Sequence, residues 1–509
     1  MPKISKNKIV FDGEDWLSDV DYLSTSSSYQ RGSTNLVQAN SFDPVREYGY
    51  AQPGFLPADA TNIASITGAL KTGLKAAADT AYAISVDGKV HKITGLSGNG
   101  TISVAAPFPY SITVANSVGS DMVAYNVGTT PYLFYSYYTA ALWDVGSFDL
   151  TATFNDTYMT ATATSPLAAP YIAGGATYSH PMIVGDNNIL YIGDRNYVHA
   201  FNGRVTANGT FYPAVLTLPS NYLITALVNY QFYLVIYAYK VDSTGSNLSE
   251  SKAFFWDTFS SSFTFVKDLN ANIVTEAINY RDTMACFVLG NNEGFYRTTG
   301  TFQIFDGSNF VVVKKGINVP SHGGAQVVGD NLFWLGDGAM YAYRGLGNKK
   351  YIHEIFTEGM AGARMLRSFT NTYNLHFSTG SGAGAGLRSF RQNFYSPANA
   401  ITKVVEPEFP EYMQGKIKSI TVTYQKATSG GRSFTLDCLT DAVSNNVISN
   451  KTTVTNLIER YESYSNANSF NLFKQLQISL SWGTGGGSSA APAISRIEVE
   501  FDLVNIINN

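Results

Sequence analysis

The side chains able to do chemistry are sparse and far apart. Six histidines, His91, His180, His199, His322, His353 and His376, stand singly, none at metal-ligand spacing from another His, a Cys or an acidic residue. That pattern spells out neither a zinc site nor a metalloprotease helix. Cys286 and Cys438 are the only cysteines, too few and too separated for a disulfide framework or a zinc cluster, and in keeping with synthesis in a reducing cytoplasm. The turns Gly185-Asp186, Gly193-Asp194, Gly329-Asp330 and Gly336-Asp337 offer one carboxylate each, whereas a calcium loop concentrates several at alternate positions. Gly380-Ser-Gly-Ala-Gly-Ala-Gly386 has phosphate-loop glycine spacing but lacks the following Lys-Ser/Thr and a helix to present its N-terminus. Paired carboxylates for glycan cleavage would have to meet in space, because the acidic residues are scattered singly. No Ser-x-Asp-x-Gly-x-Thr-Trp box of the sialidase propellers is present either. The residues therefore assign no catalytic, cofactor-binding or metal-binding position, and the expectation is a protein that is not an enzyme and uses no cofactor.

The elements that would carry these residues repeat. Asp87-Gly-Lys-Val-His-Lys-Ile-Thr-Gly95 aligns without a gap on Asp337-Gly-Ala-Met-Tyr-Ala-Tyr-Arg-Gly345, while Gly300–Gly307 and Asp194–Gly203 are looser copies. Short apolar runs precede the turns, and Asp-Gly between two such runs predicts a hairpin of type I′. His91 and His199 occupy the same repeat position, filled by Tyr341 and Gln303 in other copies. They are thus expected as packing or rim residues and not as catalytic bases. The large residues near strand ends, Ile93, Trp143, Phe201, Trp256, Phe305, Tyr343 and Phe390, recur at spacings close to the ~40–50 residues of a four-stranded propeller blade. Seven markers predict about seven blades.

Composition agrees with an all-β chain. Charged residues make up 14% and aromatic residues 14% of the 509 positions, with 45 glycines, a balance of pleated-surface fillers and turn formers. A formal net charge of −4 provides no field to collect nucleic acid or an anionic membrane. No stretch approaches the ~20 apolar residues of a spanning helix, so direct membrane insertion is not expected. Strands such as Tyr230–Tyr239 fail to alternate, as strands covered on both faces do. Three regions follow: an extended N-terminal strap over 1–60, a β-propeller over 61–402, and an antiparallel β-sandwich over 403–509. The last begins after Glu406-Pro-Glu-Phe-Pro410 and includes Ile417–Tyr424, Phe434–Leu439, Leu472–Trp482 and Ile494–Phe501, with a loop at Gly483–Ser489.

The order Phe42-Asp-Pro-Val-Arg-Glu-Tyr-Gly-Tyr50, then hairpins ending in Phe-Asp-Gly, Phe-Asn-Gly or Tyr-Arg-Gly, then Ile494-Ser-Arg-Ile-Glu-Val-Glu-Phe501, resembles the propeller-containing tail nozzle or ring proteins of short-tailed phages. The resemblance implies a structural virion protein made in the host cytoplasm. It implies assembly with copies of itself into a ring, contacts with other tail proteins, and genomic DNA only as transient cargo of the ejection channel. A glycan-binding receptor module is the alternative, with aromatic faces such as those in Tyr132–Tyr138 stacking sugars, and a capsule depolymerase is a further one.

Overall fold

Strands that are apolar on both faces must be covered on both faces, and the chain meets that demand by stacking sheets side by side. The computed structural model describes residues 7–12, 36–40, 55–57, 66, 68–77, 80–96, 103–105, 107–139, 143–151, 153–159, 180–204, 209–242, 247–269, 271, 273–290, 300–336, 339–346, 349–356, 366–368, 375–379, 386–394, 398–402, 404–407, 409–429, 432–462, 472–483 and 491–505. Among them every named element is a β-strand. Six antiparallel meanders of successive strands, the first of five and the others of four, begin with Leu70–Ala77, Val118–Val127, Met182–Val184, Tyr222–Tyr230, Ile273–Tyr280 and Ala325–Val328, and a seventh sheet begins with Leu366–Ser368. We number these sheets blades 1 to 7. The first strand of each blade touches the first strand of the next, and Leu366–Ser368 touches Leu70–Ala77, so the seven first strands close a ring. The protein is all-β and this part of it is a β-propeller.

The stacking explains the missing alternation. Along Tyr233–Val241, the side chains of Leu234, Ile236 and Ala238 enter the core shared by blades 3 and 4, whereas Val235 and Tyr237 enter the core shared by blades 4 and 5. Blades 1 and 2 meet in the same way through Tyr82, Ile84 and Val90 against Leu133, Tyr135 and Phe148.

All seven repeat markers fall on the third strand of their blade. Trp143 opens its strand, however, and the residue that closes it is Phe148. The true repeat is an aromatic residue followed by Asp or Asn: Phe148-Asp149, Phe201-Asn202, Trp256-Asp257 and Phe305-Asp306. In each the Asx oxygen accepts backbone N–H groups of the following turn, from Thr151 and Thr153, from Arg204, from Phe259 and Ser260, and from Ser308 and Asn309. Asx residues are selected there because the short side chain mimics a backbone turn. The blade 1 hairpin also differs from type I′. Its connection is Val86-Asp87-Gly88, and of these only Gly88 is left-handed (φ 69°). Residue 337 and residues 380–385 of the glycine-rich run lie outside the described residues, as do 24–28, 42–54 and 484–490.

Compactness divides the chain into two units, Met1–Ala58 with Ala339–Glu358 and Phe390–Asn509, and Asp59–Gly338 with Gly359–Ser389. In the first, two five-stranded antiparallel sheets share one core that includes Ile420, Val422, Leu436, Leu480, Trp482 and Val499. Phe434–Thr440 and Leu476–Trp482 alternate strictly between buried and half-buried positions. Met413–Tyr424 carries a bulge between Ile417 and Ser419, and the extra residue explains why Ile417 and Ile420, an odd number apart, both point inward.

The N-terminal segment enters these sheets. Lys8–Asp12 pairs with Ile494–Asn505, Leu36–Asn40 pairs with Ala398–Thr402, and Phe55–Pro57 pairs with Gly386–Phe394 as the outermost strand of blade 7. The two-sheet region thus draws strands from residues well before 403.

Candidate functional site

The first strands of four blades carry bulges, at Leu70/Thr72 in blade 1, opposite Tyr135/Tyr137 in blade 2, at Ile224/Ala226 in blade 4 and at Val274/Glu276 in blade 5. A bulge re-aims the adjacent side chain, and in blades 2 and 5 the re-aimed residue is acidic. Asp121 and Glu276 are both buried and solve their desolvation in the same way. One oxygen of each accepts the N–H of the next residue, Met122 (2.8 Å) or Ala277 (3.0 Å). The other oxygen accepts an N–H leading into the following blade, that of Met182 (2.8 Å) or Gly323 (2.5 Å). Each carboxylate is therefore a tie between neighbouring blades.

His322 joins the two ties. Its Nε2 lies 3.5 Å from Asp121 Oδ2 and its Nδ1 3.7 Å from Glu276 Oε1, with side-chain exposures of 18%, 10% and 7% for His322, Asp121 and Glu276. These are ion-pair distances, longer than hydrogen bonds. The ring is presented by a turn in which Gly324 N donates to Ser321 O (2.8 Å). Gly323 is left-handed (φ 80°), and a Cβ there would come within 2.3 Å of Lys71 O in blade 1. One four-residue turn between blades 5 and 6 thus touches blades 1, 2 and 5. Burial alone would raise the Asp121 carboxyl. The charge of His322 and the N–H groups of Met182 and Met122 more than offset it and hold the group below the usual carboxylate range.

Around this centre the other described histidines are structural. The main chain of His180 is clamped by Ser120 and Ser136 of blade 2 (2.7 and 3.1 Å), and burial pushes its ring down to about 4, opposed by Asp194 and Asp121. His199 Nδ1 accepts the N–H of Ala214 (3.0 Å), which leaves Nε2 to carry the proton toward Asp194 Oδ2 at 3.3 Å. His91 is buried against Ser85 Oγ (3.1 Å), and desolvation lowers it to about 4 despite Asp87. The side chains of His353 and His376 lie outside the described residues. The structure thus brings together His322, Asp121 and Glu276, which sequence reasoning left apart. The signal was a lone acid on a first strand beside a bulge, invisible until strands are paired.

Chemically, a histidine with a carboxylate at each ring nitrogen has no nitrogen turned toward a ligand, so the cluster works as a brace, with a net charge of −1 when the ring is protonated. Among the described residues no group of three or more His, Cys, Asp or Glu side chains is arranged to hold a metal ion, and no helix is long and apolar enough to cross a membrane. Cys286 and Cys438 are buried and free, and desolvation raises both thiols.

A second feature lies on the surface of blade 4. Phe232 and Phe259 are 89% and 86% exposed. They occupy the first and third turns of the blade, brought to the same edge because Leu234 pairs with Trp256. Both turns are built rigidly: Gln231 is left-handed (φ 52°), while Asp257 accepts from Phe259 N, Ser260 N and Ser260 Oγ, and Trp256 Nε1 donates to Ser260 O.

Fold and site together define a β-propeller protein in which His322 links first strands of two blades. No protein-family model matches the sequence, and no curated protein matches it. Among solved structures the chain is similar to the WD40 β-propeller domain of Doa1, with 11% identity, a TM-score of 0.42, and 68% of this chain and 97% of that one covered. It is also similar to YCF48 bound to D1 peptide, with 8% identity, a TM-score of 0.39, and coverage of 70% and 100%. A third is the SapL1 lectin in complex with alpha methyl fucoside, with 12% identity, a TM-score of 0.35, and coverage of 58% and 98%.

Proposed function

We propose that this chain is a structural virion protein of a phage tail, one subunit of a homo-oligomeric nozzle or ring around the genome-ejection channel. The observation that supports this reading best is the tie that the 321–324 turn makes between blades. With the 321–324 turn tied to blades 1, 2 and 5, the blade ring is braced and suited to bearing load, and the DNA passage lies between subunits. A net charge of −4 keeps that passage from trapping its cargo electrostatically. The rigid pair Phe232 and Phe259 offers the preorganised aromatic contact that subunit or tail-protein interfaces use. The chain acts without catalysis, is made in the host cytoplasm and is carried in the virion.

Electron microscopy of the purified protein tests this directly. Closed rings with an axial hole are expected. Monomers that bind a glycan array would replace the reading with a receptor module. Release of reducing sugar from host capsule, abolished by one Asp or Glu change, would replace it with a depolymerase.

A further inference from the structure

The brace at the propeller centre is built from groups that titrate, and its geometry suits one protonation state. A carboxylate offers only acceptors, whereas a neutral imidazole has one N–H and one lone pair. With Asp121 on one nitrogen and Glu276 on the other, only the imidazolium presents an N–H to both. We propose that the 321–324 turn is a proton-dependent latch: with His322 protonated it holds blades 2 and 5 together across the ring, and loss of that proton loosens the centre while the blades stay folded.

The groups facing the latch decide its sign. Blade 2 contributes Asp121, blade 5 contributes Glu276, and blade 1 contributes Lys71, whose carbonyl backs Gly323 and whose residue is itself buried. His180, ahead of the first strand of blade 3, lies close enough to Asp121 to feel its charge. Blade 6, which follows the turn, begins with the uncharged run Ala325-Gln-Val-Val328. Each carboxylate already spends two oxygens on backbone N–H groups. Removing the His322 proton therefore leaves two buried negative charges beside a neutral ring, one of them facing its lone pair, and the repulsion falls on the contacts to Met182 N and Gly323 N. Two carboxylate neighbours favour the charged ring and burial opposes it, so the latch is closed at low pH and opens as pH rises.

Hydrogen exchange of the full chain between pH 5 and 9, read by mass spectrometry on peptides spanning 180–184 and 321–325 and corrected for intrinsic exchange, tests the latch. Protection in both peptides is expected to fall together as pH rises through the titration, by up to about tenfold per pH unit for a one-proton linkage. Peptides from the blade 4 strand Tyr233–Val241 serve as the unaffected control. His322→Gln is expected to show low, pH-independent protection at the same two peptides, and Asp121→Asn with Glu276→Gln on that background to restore it. Flat wild-type protection across pH 5–9, or a fall shared equally by the control peptides, overturns the proposal. The wild-type profile alone decides if the variants fail to fold. Neither outcome bears on whether the chain forms a ring.

Discussion

Gly323 is the residue on which the propeller centre depends sterically. Its backbone is left-handed and packs against Lys71 O with no room for a Cβ, so Gly323→Ala combines backbone strain with a clash that only movement of the turn relieves. We expect a loss of about 2–4 kcal/mol, measured as a lower urea midpoint with an unchanged m-value. The buried histidines set a different dependence. His91 and His180 have folded pKa values of about 4, chiefly from desolvation, against about 6.5 in the unfolded chain. Above pH 6.5 both states hold them neutral and the full stability is present. As pH falls from 6.5 toward 4 the unfolded chain takes up protons that the folded one refuses, so stability declines, by on the order of 3 kcal/mol per histidine. Urea midpoints at pH 7 and 4.5 should differ accordingly, and His91→Gln should shrink the difference. Equal midpoints at the two pH values would show that these rings are protonated in the fold. Of these residues only His91 and His199 were legible in the sequence, as members of a repeat. Asp121, Glu276 and His322 were not, because their neighbourhood arises from ring closure and from bulges that change which way a side chain points.

At the scale of elements, blades 1 and 2 are joined by one carboxylate. Asp156 follows the last strand of blade 2, Phe154–Asn155. It accepts from Tyr110 Oη (2.8 Å), Thr113 N (2.7 Å), Thr113 Oγ1 (2.6 Å) and Tyr135 Oη (2.5 Å), while its carbonyl accepts from Tyr137 Oη (2.9 Å). The Tyr135 and Tyr137 hydroxyls are buried, and desolvation raises both phenols, with Asp156 adding to it. Asp156→Ala strands the buried Tyr135 hydroxyl together with the part-buried donors of Tyr110 and Thr113 and should cost about 2–4 kcal/mol, seen in thermal unfolding. Asp156→Asn, which keeps the acceptor oxygen, should cost less. If the two variants melt alike, the network is not held by these bonds. This junction was illegible because Tyr110, Thr113 and Asp156 belong to segments with no repeat signature. The third strands were legible for the opposite reason, since in blades 2 to 5 the same aromatic-Asx turn joins the third strand to the fourth. The misplacement of the blade 2 marker at Trp143, five residues before Phe148, came from matching Trp-Asp as a string. Position relative to the strand end is what the turn requires, and Phe148-Asp149 meets it.

At the scale of the whole molecule, the N-terminal segment closes sheets whose other strands come from the far end of the sequence. Phe55–Pro57 completes blade 7, and Lys8–Asp12 and Leu36–Asn40 edge the two sheets that follow. Such pairings join residues hundreds of positions apart, so no local pattern in 1–60 announces them. Closing a ring with a strand from the opposite terminus makes separation of the last blade from the first require breaking that pairing too. Removal of residues 1–57 should therefore lower the melting temperature by at least about 5 °C and expose the last blade to limited proteolysis within 366–394. An unchanged melting temperature would mean that these strands add little to the sheets they edge. The surface makes the complementary case. Phe232→Ser with Phe259→Ser removes two exposed rings that touch little of their own chain, so the melting temperature should stay within about 1 °C, the range of surface substitutions. If those rings seat against a neighbouring subunit, as the proposed ring requires of some preorganised apolar surface, the double variant should remain monomeric in sedimentation under conditions where the parent assembles. Assembly that survives both changes would move the interface away from blade 4 and leave the ring itself standing.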